Sequence, residues 1–170
     1  MRRASRLTAT LTLTLTLILL LAPQSSWAAG PTDTSMQERV DDVIEDFGGS
    51  QTGWNEVTWG EGAIVLTLDP TDTAPGSTPR AATAREVSAK CASGRYCVYS
   101  AAGFRGNKLS YATCPATYTS FAALHGKVRS VKNSRSSGTV LAYAGSQVKA
   151  TVKAGRGASS VSRITKIRCS

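Results

Sequence analysis

Four cysteines, Cys91, Cys97, Cys114 and Cys169, are the residues of this chain best suited to chemistry, and all lie in its second half. The N-terminus carries Arg2, Arg3 and Arg6, then a Thr-diluted apolar run over 7–22, then Ser26-Trp27-Ala28 with small residues at the −3 and −1 positions. That reads as a secretory signal peptide over 1–28, leaving a free secreted, extracellular protein with no membrane insertion. An even cysteine count in an exported chain implies two disulfides, and three pairings are open. Metal ligation is disfavoured because no CxxC pair occurs and the single histidine, His125, has no partner. Acid–base catalysis fares no better, since residues 87–170 contain no Asp or Glu to orient His125. Ser134 to Ser137 sit in a Gly-bounded turn without a GxSxG pattern, so they read as a solvated loop. The expectation is a binding protein, not an enzyme, with no catalytic residue, no metal and no cofactor.

The elements that must position the cysteines centre on residues 90–114, KCASGRYCVYSAAGFRGNKLSYATC. Two runs rich in Tyr and Val, 96–100 and 108–113, are separated by Gly103 and Gly106, which predicts a β-hairpin. Within it Tyr99, Phe104 and Gly106 follow a fixed spacing. A glycine at the fold-over lets the backbone take φ > 0 while an aromatic ring packs across it.

That spacing looks like the hairpin signature of βγ-crystallin Greek keys. The opening Cys91-Ala-Ser-Gly94-Arg-Tyr-Cys97-Val-Tyr99-Ser100 is similar to that of secreted Streptomyces-type actinobacterial metalloproteinase inhibitors, whose fold is crystallin-like. Arg129 to Asn133, followed by TVLAYAG from Thr139 to Gly145, resembles the strand closing that family's first Greek key and the strand opening its second. The resemblance covers roughly residues 90–170. It implies pairing of Cys91 with Cys97, which closes a short local loop, and of Cys114 with Cys169, which ties the end of the first key to the last strand. It also raises calcium, which many such domains bind. The matching positions, 125–130 and 161–166, offer no carboxylate side chain, so calcium binding is expected to be lost. In the characterised inhibitors the reactive bond lies in a small disulfide loop after the second key's first strand. Here that place is taken by Gly145, Ser146, Gln147, Val148 and Lys149, the candidate binding loop, which has no cysteine pair.

Charge divides the chain sharply. Eleven acidic residues fall between Asp33 and Glu86, opposed only by Arg39, Arg80 and Arg85, a balance of −8; residues 87–170 hold fourteen Lys and Arg and no acid, a balance of +14. Such asymmetry implies neutralisation within the chain or a polyanionic partner. In the acidic part Ser35-Met-Gln-Glu38 forms a capping-box pattern, and Met36, Val40, Val43, Ile44 and Phe47 recur at helical spacing until Gly48-Gly49. WNEVTWGEGAIVLTL predicts a hairpin around Gly60-Glu61-Gly62, with Trp54, Val57, Trp59, Ile64, Leu66 and Leu68 on its apolar side. A helix and one hairpin cannot stand alone, so this acidic segment over 29–68 must dock on something. Residues 69–89, rich in Pro, Thr and Ala without an apolar period, read as a linker.

Beyond Cys114 strands are predicted over 128–133, 139–143 and 147–153, with Val148, Ala150 and Val152 facing inward, and over 164–169, with Thr165, Ile167 and Cys169 inward. The chain therefore reads as mainly β: a βγ-crystallin-like Greek-key sandwich over 90–170 with a small N-terminal helix-plus-hairpin extension. Two functions follow from different parts of this reading. The resemblance implies a secreted, metalloproteinase-type peptidase inhibitor that binds an extracellular protease. The basic face fits an antimicrobial, killer-toxin-like or cell-wall-binding crystallin domain acting on anionic cell-wall polymers. Nucleic acid is not an expected partner of an exported protein.

Overall fold

The structure is a computed structural model that describes residues 31–71 and 90–170. The expected signal peptide, and all of the expected linker beyond Thr71, lie outside the described residues. Helix α1 spans Pro31–Phe47. Proline suits a first helical position, where its missing N–H would have no partner. Ser35, the expected N-cap, therefore lies a turn inside the helix. Gly48 ends the helix in the left-handed region at φ +67, its N–H donating to Ile44 O at 2.8 Å. Met36 and Val40 are buried on the inner face, with Val43 and Ile44 partly buried beside them. Glu38, Asp41, Asp42, Glu45 and Asp46 face outward and are exposed. Phe47, grouped with the apolar face by its spacing, is 42% exposed.

The strands are β1 Ser50–Gly53, β2 Glu56–Trp59, β3 Ile64–Thr67, β4 Tyr96–Ala101, β5 Arg105–Tyr111, β6 Ala116–Tyr118, β7 Ser130–Asn133, β8 Thr139–Ala144, β9 Gln147–Lys153, β10 Gly157–Ala158 and β11 Lys166–Cys169. They form two antiparallel sheets, one ordered β1-β2-β3-β5-β4-β7-β10 and the other β6-β11-β8-β9. In the larger sheet β5, β4 and β7 are joined by β10 from the later part of the chain. In the smaller one β9, β8 and β11 are joined by β6 from the earlier part. Each half thus lends one strand to the other's sheet, which locks the two together.

Register explains the core. Val57 pairs with Leu66, Leu66 with Leu109, Leu109 with Val98, Val98 with Val131 and Val131 with Ala158. One apolar row thus crosses six strands, and because side chains alternate with period two it lies on a single face. Opposite stand the inner rows of the smaller sheet, Tyr118–Ile167–Ala142–Ala150 and Ala116–Cys169–Val140–Val152. A fully buried leucine such as Leu66 contributes about 1.5–3 kcal/mol.

The acidic segment docks by backbone pairing, with β3 adding to the free edge of β5. Helix α1 then roofs the inner face of this added hairpin, Met36 and Val40 joining Val57, Leu66 and Leu68 in the same core. Side chains reinforce the join. Arg95 donates to Gly62 O at 2.5 Å, Arg39 donates to Asp69 O at 3.0 Å and to Asn107 Oδ1 at 3.3 Å, and Asp69 Oδ2 accepts the Gly106 N–H at 3.1 Å. Strand β1 was not legible, because SQTG has no apolar alternation. It is an outer strand, where polar residues are suited to an exposed edge. Trp54, expected on the apolar side, is 55% exposed in the β1–β2 turn.

Candidate functional site

Two disulfides brace the sandwich. Cys91–Cys97 closes a loop onto β4, and Cys114–Cys169 joins the start of the β6 segment to β11 across 55 residues of sequence. Around the first, Gly94 N–H donates to Ser134 O at 3.0 Å and Ser134 N–H to Arg95 O at 2.9 Å. Arg135 adds bonds to Gly94 O and Ala112 O. The stretch from Ser134 to Ser137, expected to be a solvated loop, is thus tied to the Cys91 loop at its Ser134–Arg135 end.

The β4–β5 hairpin brings the Tyr99 and Phe104 rings together. Gly106 adopts φ +75, and a Cβ there would collide with Ser100 Oγ. The Phe104 ring meets Tyr99 edge-on, centroids 5.8 Å apart, and Phe104 itself has φ +62. That unusual backbone is held by Ser130, fully buried on β7, whose Oγ accepts the Phe104 N–H at 3.0 Å and donates to Ala101 O at 2.7 Å. Burial pushes the Tyr99 hydroxyl up to about 12, a backbone hydrogen bond from Cys91 partly opposing it. Burial also raises Tyr96 and Tyr111 beyond the usual phenol range and lowers the Lys108 ammonium, which Glu56 partly offsets.

The second half repeats the arrangement with different atoms. Thr165, just before β11, accepts the Gly145 N–H at 2.9 Å through Oγ1, while its own N–H donates to Tyr143 O at 2.8 Å. The β8–β9 turn at Gly145-Ser146 is therefore anchored from β11, much as the first hairpin is anchored from β7. Thr165 was expected to face inward and is exposed; it serves the turn and not the core.

A β-bulge decides what this turn displays. Ala142 pairs with Ala150 but Tyr143 pairs with Val148, so Lys149 is an extra residue on β9. One inserted residue reverses the facing of every side chain before it. Val148 consequently lies opposite Tyr143 on the outer face, 49% exposed, whereas strict alternation placed it inward with Ala150 and Val152. Tyr143 is in turn covered by Lys166, Nζ 4.3 Å from the ring centroid. Lys149 Nζ donates to Gln147 Oε1 at 2.9 Å. The five loop residues and Thr165 thus form one exposed constellation, with Val148 beside Tyr143 as its apolar part and Lys149 and Lys166 as its cations.

Among the described residues, no group of three or more His, Cys, Asp or Glu is placed to hold a metal. His125 is exposed at the end of a single 3-10 turn, Ala122–Leu124, at φ +50. No described helix is long and apolar enough to cross a membrane.

Fold and site together define a disulfide-braced β-sandwich with two hairpin turns anchored from other strands. Residues 84–153 match the family model of peptidase inhibitor family I36, a span that includes the anchored turn. The match supports a peptidase inhibitor family and points to a non-enzymatic inhibitor. Comparison with curated proteins and with solved structures finds no match.

Proposed function

We propose that this protein is a secreted inhibitor of extracellular metalloproteinases that engages its target through Gly145, Ser146, Gln147, Val148 and Lys149. The observation that carries the reading is the bulge that turns Val148 outward beside a turn held by Thr165. An apolar side chain on a fixed backbone can enter a protease's side-chain pocket with little loss of conformational entropy, the feature that lets small inhibitors bind tightly. The turn lacks the flanking cysteine pair of Streptomyces-type inhibitors. The Thr165 bond and the cross-strand pairing of β8 with β9 take over the task of holding it still. A βγ-crystallin-like, two-key fold is supported by the way each half of 90–170 lends a strand to the other's sheet. In this reading 1–28 is the signal peptide, 90–170 carries inhibition, and the acidic 29–68 segment with its 69–89 linker stabilises it by strand addition.

The test is an inhibition assay of the purified protein against panels of metallo- and serine proteases. Inhibition confined to metalloproteinases is expected, with Val148→Glu weakening it by roughly 30-fold or more, the scale of an interface hot spot. Unchanged inhibition by Val148→Glu would move the contact away from this turn, and a protein inert across both panels would remove the inhibitor reading.

A further inference from the structure

Among the described residues, the outer face of the smaller sheet is exposed and one-signed. Its register sets Thr117, Arg168, Leu141 and Thr151 in one row and Lys166, Tyr143 and Val148 in the next. Lys149 and Lys153 lie along β9 at its side. Arg168, Lys149, Lys153, Thr117 and Thr151 are all exposed, and no acidic residue exists anywhere in 87–170 to offset the four cations. We infer that this face binds a linear polyphosphate-type chain, with Lys149, Lys153, Lys166 and Arg168 as its cationic contacts.

Three physical features select that occupant. Arg168 offers a planar fork of donors suited to phosphoryl oxygens. The hydroxyls of Thr117 and Thr151 share its row and can donate to the same oxygens. Lys166 and Arg168, two residues apart on β11, are about 7 Å apart, and Lys149 and Lys153 lie two strands away on β9, so a flexible chain that crosses β8 can meet both pairs. The competing occupant present in this protein is the acidic face of α1 on a second copy, through Glu38, Asp41, Asp42, Glu45 and Asp46. Exposed ion pairs are worth about 0–1 kcal/mol each, whereas association of two proteins costs roughly 4–15 kcal/mol in lost freedom. A polymer instead gains from counterion release and can bind in many registers. The inference does not depend on inhibition, and its readout involves no protease.

The experiment is binding of inorganic polyphosphate to the purified protein between 50 and 200 mM salt. The expected logarithmic salt slope is about −3, taking roughly −0.7 for each of four cations. In Lys153→Gln/Arg168→Gln the slope should become shallower by about 1.4 and low-salt affinity should fall roughly tenfold. Lys127→Gln/Arg129→Gln, equally exposed but on the approach to β7, should leave both nearly unchanged. Equal losses from the two pairs would mean attraction by net charge alone and would overturn the site. So would equally tight binding of polyglutamate, or no binding at 50 mM salt. Low-salt self-association abolished by Lys153→Glu/Arg168→Glu would make a second copy the occupant and overturn the polymer.

Discussion

The Ser130 hydroxyl accepts the Phe104 amide at 3.0 Å while donating to Ala101 O at 2.7 Å, so one buried atom from β7 spans the mouth of the β4–β5 hairpin. Phe104 holds a left-handed backbone there, φ +62, and presses its ring towards Gly157 of β10. Thr165 does the corresponding work for the β8–β9 turn from an exposed position. Removing Ser130 Oγ strands two polar groups in a buried place, whereas removing Thr165 Oγ1 leaves an amide that water can reach. Ser130→Ala should therefore cost about 1–3 kcal/mol and Thr165→Ala less than about 1 kcal/mol in chemical denaturation. Thr165→Ala should instead weaken protease inhibition; if inhibition is untouched, anchoring of the turn is not what the target reads.

Gly103 and Gly106 separate two effects that a sequence pattern merges. Both have positive φ, +72 and +75, so alanine at either position incurs the left-handed penalty of about 1 kcal/mol. A Cβ at Gly103 meets nothing within 4 Å, while one at Gly106 runs into Ser100 Oγ and approaches the Ala101 backbone at 3.3 Å. Gly106→Ala should destabilise by about 1–3 kcal/mol more than Gly103→Ala, the scale of overpacking. Equal melting temperatures would show that Ser100 simply rotates aside.

The disulfides should contribute unequally. Chain-entropy bookkeeping for a cross-link spanning 55 residues gives about 4 kcal/mol, against about 2 kcal/mol for one spanning 6. Cys114→Ala/Cys169→Ala should thus lower the denaturation midpoint more than Cys91→Ala/Cys97→Ala. The reverse order would show that the short loop, with its bonds from Gly94 and Arg95, is itself part of the core.

Alkaline pH should unfold the protein from about pH 10 upward. Tyr99 has its hydroxyl raised to about 12 by burial, so above pH 10 the unfolded chain loses protons that the folded one keeps. Stability is then fully present below 10 and is lost as pH rises towards 12. Tyr96 and Tyr111 act in the same direction. Lys108 acts oppositely: its lowered value means the unfolded chain holds more protons below about 10.5, so stability gains as pH approaches that point. A stability maximum near pH 9–10 with a fall beyond it is expected from urea titrations, and Tyr99→Phe should make the fall shallower. A curve that is flat to pH 12 would contradict the burial of these phenols.

Much of the architecture was written locally. Apolar residues at helical spacing from Met36 to Ile44 required a helix with an acidic outer face, and the glycines after Phe47 required it to stop. Alternation around Gly60 to Gly62 required a hairpin, and the runs flanking Gly103 and Gly106 required another, because in each case the period of the pattern is the period of the element. The absence of any Asp or Glu in 87–170 settled the one-signed charge of strands β4 to β11 before any geometry was known.

What the tertiary structure decided are the places where one residue's fate depends on another far along the chain. Strand β1 exists because β2 offers it a partner, not because SQTG favours extension. The hairpin of the acidic segment joins the sandwich because β5 has a free edge. Ser130 and Thr165 become hairpin anchors only when β7 and β11 are laid beside turns more than 15 residues away in sequence. The facing of Val148 was the hardest to read, since QVKATVK alternates without a flaw. The bulge is a mismatch of length between β8 and β9, a property of the pair, so neither strand's own sequence carries it. It is that mismatch which turns a valine patterned for the core into an exposed residue of the candidate binding loop.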